Sequence, residues 1–191
     1  MAYIDARFVG ETVPMVSVSE MENECVFRAA RETGSDLCFL DQRIPRYRRE
    51  IINVIGMGVT ENVKEEALAP KLSNPAHGFA IAYVRGVRRD DGAALHRHPT
   101  EEIFIAISGE WRVVWLEGEQ ERSILLHQGD LVAVPPGVFR GFRSANDDPE
   151  SLLMALVGGP DAGRVDWHPS VIAEARETGL SVDDRGNLLI N

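Results

Sequence analysis

Between residues 76 and 159 the sequence alternates short apolar or β-branched runs with turns that contain Gly, Pro, Asn or Asp. Such runs favour strands, and the residues between them favour tight turns. Eight strands are predicted, over residues 79–87, 93–98, 102–108, 111–116, 123–127, 131–134, 138–143 and 151–157. Many short strands at this spacing are typical of an antiparallel sandwich or barrel. The sequence therefore predicts a mainly β fold.

The segment before this β region, residues 1–75, has a mixed pattern. A capping box of Ser19 and Glu22 predicts a helix over residues 20–32, and the β-branched run 51–56 predicts a strand. We expect this N-terminal extension to pack on the barrel or on a partner subunit, or to cap the cavity of the barrel.

The segment after the β region, residues 160–191, carries one predicted helix. It should begin near Pro169 and end before Gly179, because Pro favours the first helical turn and Gly the end. A length of 191 residues suits one domain with a sizeable core, so we expect a single domain over the whole chain.

Composition and charge narrow the classes of partner. The net charge of -10 repels phosphate backbones, so we do not expect nucleic acid as a partner. No stretch approaches the roughly 20 apolar residues of a membrane span, and the N-terminus lacks a signal-peptide pattern. We expect a cytoplasmic protein with no membrane partner, in which Cys25 and Cys38 are reduced core residues.

A cluster of basic residues interrupts the N-terminal extension. It consists of Arg43, Arg46, Arg48 and Arg49. A run of like charges is usually a solvated surface, so we interpret this cluster as a solvated or subunit-facing loop rather than as an anion site.

A pair of histidines lies on the predicted strand 93–98. His96 and His98 are two residues apart, so both side chains leave the same face of the strand and can chelate a metal. Glu102 begins the next predicted strand, whose two faces are otherwise apolar, so its carboxylate needs a partner such as a metal or an arginine. Two imidazoles and one carboxylate are typical of non-haem iron sites, and Mn, Ni, Co or Zn could also bind.

The surroundings of this pair resemble the cupin family. In its first motif HxH is followed by Glu and, after six further residues, by Gly, and His96, His98, Glu102 and Gly109 match this spacing. The second motif, Gly, five residues, Pro-x-Gly, matches from Gly129 through the Pro-Pro-Gly of residues 135–137. The resemblance implies a double-stranded β-helix, or jelly-roll barrel, with metal and substrate inside. It also implies a homodimer, which is common in the family.

Arg140 departs from the family pattern, because it stands where the second motif carries a histidine ligand. Ser144 replaces the asparagine that ends that motif. A guanidinium has no lone pair to offer a metal and stays protonated. The fourth ligand of most metal-binding cupins is therefore absent.

Four interpretations of Arg140 remain open at this point. Arg140 could bind an anionic substrate group beside a metal held by the three other residues, with Phe104 and Phe142 also contacting the substrate. His77 or His127 could supply the missing ligand. Arg140 could pair with Glu102 and replace the metal, or it could point out of the barrel.

The resemblance implies a function as a metal-dependent enzyme acting on a small organic acid, by oxygenation or isomerisation. A metal-free cupin that binds a small molecule, as a sensor or storage protein, is the alternative. In both cases the expected partner is a small, anionic molecule.

Overall fold

The computed structural model describes residues 15–56, 60–72, 78–86, 88–159 and 165–191. The strands are β1 (Arg49–Ile55), β2 (Phe79–Gly86), β3 (Gly92–Arg97), β4 (Glu102–Ser108), β5 (Trp111–Glu117), β6 (Gln120–Leu126), β7 (Leu131–Val134), β8 (Arg140–Ser144), β9 (Leu152–Gly158), β10 (Asp166–Trp167), β11 (Leu180–Val182) and β12 (Leu188–Ile190). The α-helices are α1 (Val18–Glu20) and α2 (Pro169–Glu177). A π-helical turn spans Met21–Cys25, and 3-10 turns span Ala29–Arg31, Pro45–Tyr47 and Glu66–Leu68. In the described part of the chain, no helix is long and apolar enough to cross a membrane.

The strands form two antiparallel five-stranded sheets and a separate hairpin. One sheet has the order β1-β2-β9-β4-β7, the other has the order β10-β3-β8-β5-β6, and β11 pairs with β12. Between the two large sheets, Phe104, Trp111, Phe142 and Leu153 are buried in one apolar cluster. The predicted mainly β fold is confirmed, and each of the eight predicted strands corresponds to an observed one, β2 to β9. Position 87, the last residue of the first predicted strand, lies outside the described residues.

The predicted helix over residues 20–32 is wrong. Ser17, not Ser19, caps α1, and its capping box is closed by Glu20. The helical turns end at Val26, whose backbone is extended, and the ring of Phe27 packs edge-on against Tyr83 of β2, 5.2 Å between centroids. Packing on the barrel therefore overrides the local helical pattern.

The C-terminal helix prediction is confirmed. Helix α2 begins at Pro169 and is capped by His168, whose side chain accepts a hydrogen bond from the Ser170 amide. It ends before Gly179, which has a positive φ of 78°.

The basic cluster is not a solvated loop throughout, because Arg49 is buried. Its Nη1 and Nη2 atoms each lie 2.9 Å from a carboxylate oxygen of Asp41. Arg49 Nη1 also donates to the Gly92 carbonyl at 2.9 Å, and Asp41 accepts from the Ala94 amide at 2.8 Å. This ion pair fastens the N-terminal segment to β3 beside the predicted site. Cys38 is also buried, as predicted, and burial raises the pKa of its thiol to about 12, so it is unreactive.

Candidate metal centre

The structure brings His96, His98 and Glu102 together, as the motif predicts. His96 lies on β3, His98 follows that strand directly, and Glu102 begins β4 in the opposite sheet. All three are buried, with 7%, 7% and 5% of their surface exposed. One donor atom from each lies within 4.8 Å of the others, so one ion can contact all three.

The imidazole of His96 is held in the tautomer that a metal requires. Its Nδ1 lies 2.7 Å from the Ala94 carbonyl oxygen, which can only accept, so Nδ1 carries the proton. The lone pair is then on Nε2, which lies 3.9 Å from Glu102 Oε2. Burial, followed by the nearby His98 and Arg140, lowers the pKa of His96 well below 6.5, so the ring is neutral. A neutral, oriented imidazole is ready to coordinate.

Arg140 points into the protein and pairs with Glu102. Its side chain is fully buried, and its Nε donates to Glu102 Oε2 at 2.8 Å. Its Nη1 donates to the Val138 carbonyl at 3.3 Å, and its buried Nη2 has no hydrogen-bond partner among the described residues. The interpretation in which Arg140 points out of the barrel is wrong. The pairing interpretation agrees with this geometry.

The ion pair leaves room for a metal, because it engages one carboxylate oxygen of Glu102. Within the described ranges, no hydrogen bond to Glu102 Oε1 is found, and Glu102 lines the cavity. Carboxylates that bind metals are commonly held by a hydrogen bond on their other oxygen. Two imidazoles and an oriented carboxylate thus fit a divalent cation, with Arg140 as the group that positions Glu102.

The triad faces a small cavity of about 70 Å³. Apart from the triad and Arg49, its wall is apolar or aromatic, with small side chains such as Ala80 and Ala82. Of the predicted substrate contacts, Phe142 lies on this wall. Phe104 is fully buried behind Phe142, and the centroids of these two rings are 5.3 Å apart. The described residues that line the cavity do not include Arg140.

The two histidines considered as a further ligand have different positions. His127 is at the surface, with 64% of its side chain exposed, and its Nδ1 lies 2.9 Å from Glu110 Oε1. The structure therefore does not bring His127 to the triad. His77 lies outside the described residues.

Sequence reasoning missed three residues that shape this site: Arg49, Glu61 and Trp167. Trp167 pairs with His96 between β10 and β3, and the two rings lie 5.5 Å apart. Glu61 accepts from the indole Nε1 of Trp167 at 2.5 Å and from the Leu40 amide at 2.6 Å. Burial raises the pKa of Glu61 to about 7. No motif marks these residues, because their contacts join segments far apart in the sequence.

Comparison with known proteins agrees with this architecture. The sequence model of the cupin domain matches residues 88–156. No curated protein sequence matches the chain. A structure of oxalate oxidase is similar with a TM-score of 0.50 and 17% identity, over 85% of this chain and 76% of that chain. Oxalate oxidase in complex with the substrate analogue glycolate gives a TM-score of 0.51, with the same identity and coverage.

A cupin 2 domain-containing protein from Halorhodospira halophila has a TM-score of 0.47 and 14% identity, over 68% of this chain and 77% of that chain. At 17% identity, the likeness to oxalate oxidase describes the fold alone. The domain match covers the strands that carry the triad. Residues 88–156 therefore match the cupin domain, and they lie within a double-stranded β-helix fold.

Proposed function

We propose that this protein is a metal-dependent enzyme that acts on a small organic acid, by oxygenation or isomerisation. The observation that carries the proposal is the triad, whose buried donor atoms lie within 4.8 Å of one another and face a cavity. Fe, Mn, Ni, Co and Zn all accept two imidazoles and one carboxylate. When bound, such a metal acts as a Lewis acid toward substrate oxygens.

The residues of the chain supply orientation and exclude water. The Ala94 carbonyl fixes the His96 tautomer, and Arg140 holds Glu102 through one carboxylate oxygen. These contacts arrange the donors before a metal arrives. Trp167 packs on His96 and lies on the apolar wall, which limits the access of water to the triad.

The size of the cavity supports a small substrate. Its volume of about 70 Å³ is far below the ~300–1,000 Å³ of typical ligand pockets, so only a molecule of a few non-hydrogen atoms fits. Because an oxalate oxidase shares the fold, short carboxylic acids are the first class to test. Homodimer formation and a cytoplasmic location stay predictions.

A metal-free cupin that binds a small molecule is the second candidate. It is favoured by the 2.8 Å contact between Arg140 Nε and Glu102 Oε2, since Arg140 already compensates the carboxylate without a metal. The two candidates differ in whether the triad takes up a cation.

Elemental analysis and oxygen consumption test the proposal together. Protein purified without chelators, or loaded with Fe(II), Mn(II), Ni(II), Co(II) or Zn(II), should hold about one metal per chain. Glu102→Gln should lose this metal, and the surface variant His127→Gln should keep it. Loaded protein is then assayed with glycolate, malonate and pyruvate for oxygen uptake and for isomerised products.

Uptake of less than about a tenth of a metal per chain under every condition contradicts the enzyme proposal. Binding of these acids without a metal would then favour the second candidate. In the variant Arg140→His an imidazole replaces the guanidinium. A sharp rise in metal occupancy in that variant alone would show that Arg140 weakens the native site.

A further inference from the structure

Arg49 is a buried arginine on the wall of the cavity that holds the triad. It begins β1 and has 4% of its surface exposed. Both terminal nitrogens contact Asp41 at 2.9 Å, and Nη1 also donates to the carbonyls of Tyr47 and Gly92 at 2.9 Å. The guanidinium is thus fixed in position by the protein, which is what a preorganised contact for a ligand requires.

The remaining nitrogen of this guanidinium, Nε, is buried and has no hydrogen-bond partner among the described residues. A buried N–H without an acceptor is costly, and native structures normally satisfy it. An acceptor oxygen of a molecule in the cavity would satisfy Arg49 Nε. Because Arg49 lines the cavity, its guanidinium is a candidate polar contact that is separate from the triad.

The rest of the cavity wall offers few other polar contacts to such a molecule. Among the described lining residues, the charged or imidazole side chains are Arg49 and the triad. The indole N–H of Trp167 already donates to Glu61. A ligand can therefore place polar atoms at the triad and at Arg49, with carbon atoms against the alanines and valines between.

The charges around the cavity favour an anionic ligand. Arg49 is paired with Asp41, and Arg140 is paired with Glu102, so the two buried pairs cancel. A divalent cation at the triad adds two positive charges that these pairs do not compensate. A carboxylate would compensate them in part, and the attraction between opposite charges is stronger in a buried site than in water.

Building on the proposed function, we propose that Arg49 is a specificity-determining contact for the ligand. Its Nε–H donates to an acceptor oxygen at one end of the ligand, and the other end lies at the triad. The cavity then selects a short molecule with an oxygen function at each end, a hydroxy acid or a dicarboxylate.

Nuclear magnetic resonance of the whole protein tests this contact directly. In protein labelled with ¹⁵N-arginine, the Nε–H signal of Arg49 is assigned by its loss in Arg49→Lys. Glycolate and malonate, each with oxygen at both ends, are titrated into metal-free and Zn-loaded protein. Propionate, which has a methyl group at one end, is the matched control.

We expect glycolate or malonate to move the Arg49 Nε–H signal downfield, and propionate to leave it in place. Arg49→Lys should weaken the binding of the two-ended acids by about tenfold, as the loss of one charge-assisted hydrogen bond does. Where Arg49→Lys fails to fold, the Arg49 Nε–H signal is assigned instead through its own side chain and backbone in wild-type protein labelled with ¹³C and ¹⁵N, so the wild-type titration still tests the contact.

Two results overturn the proposal. One is that the acids bind, as seen from the His96 and His98 signals, while the Arg49 Nε–H signal does not move. The other is that none of the acids binds in either form of the protein. A third result separates the two proposals: the Arg49 Nε–H signal shifts when acid is added, but the protein takes up no Zn. This result would support the Arg49 contact and contradict the proposed metal-dependent function.

Discussion

Arg140 Nε lies 2.8 Å from Glu102 Oε2, and this buried ion pair joins the two sheets of the barrel. Arg140 is the first residue of β8 and Glu102 is the first residue of β4. The pair therefore connects a strand of the first cupin motif, β4, with a strand of the second, β8. In the β3–β8 register, Arg140 is opposite His96. Arg140, which stands where the cupin motif carries a histidine, therefore positions Glu102 of the candidate triad.

Arg140→Met should destabilise the metal-free protein strongly. It leaves the carboxylate of Glu102 buried without its partner, which costs about 3–5 kcal/mol in free energy of unfolding. Zn(II) should restore part of this loss, because the cation compensates the carboxylate. Urea unfolding with and without Zn(II) measures both effects.

The matched control for this variant is Arg122→Met. Arg122 pairs with Glu117 at 2.7 Å on the surface, with 51% of its side chain exposed, so its loss should cost less than about 1 kcal/mol. Equal costs for the two variants would show that the Arg140–Glu102 pair is not a buried ion pair.

Glu61 should make the stability of the protein fall as pH rises from about 4.5 to about 7. In the unfolded chain this carboxyl loses its proton near its ordinary pKa of 4.5, whereas burial holds the proton in the folded protein up to a pKa of about 7. The folded state therefore binds more protons across this window, and about 3 kcal/mol of stability is lost by its upper end.

The variant Glu61→Gln isolates this contribution. The difference between the unfolding free energies of wild type and Glu61→Gln should change by about 3 kcal/mol between pH 4.5 and 8. Any pH dependence that His96 gives to the unfolding free energy is the same in both proteins and cancels in this difference. The exposed variant Glu119→Gln should follow the wild-type curve. A constant difference between wild type and Glu61→Gln would contradict the raised pKa.

Gly109, which ends the first cupin motif, should tolerate no side chain. Its φ is +70°, and a Cβ there would lie 2.1 Å from Ser151 Oγ. Gly118 has a similar φ of +63°, but no described atom lies within 4 Å of a Cβ at that position. Gly118→Ala should therefore cost about 1–2 kcal/mol from backbone strain alone, and Gly109→Ala about 3 kcal/mol or more from strain and overpacking. Thermal unfolding of the two variants compares them, and equal costs would contradict the steric explanation.

The strands and the triad were predictable because their signals are local. The bounds of β4 and β7 agree with the prediction at both ends, since Pro99, Gly109, Gly129 and Pro135 delimit them. His96, His98 and Glu102 lie within one short motif, so a spacing argument was enough to group them.

The rest of the site depends on contacts between distant segments. The burial of Arg49 requires Asp41 and the carbonyl of Gly92, and the sequence around Arg49 resembles a surface loop. Trp167 reaches His96 through a two-residue strand, which is too short to leave a periodic pattern. The pairing of Arg140 could be proposed from the sequence as one alternative, but only the packing of the two sheets selects it.

An anomalous-scattering map of a crystal soaked with Zn(II) or Mn(II) tests the metal centre most directly. We expect one strong peak per chain at the triad, about 2.0–2.2 Å from an imidazole nitrogen of His96, one of His98 and a carboxylate oxygen of Glu102. Arg140 should still contact the other oxygen of Glu102. A map with no peak at the triad, in crystals that diffract well at saturating metal, would contradict the metal centre and leave the Arg140–Glu102 pair as its substitute.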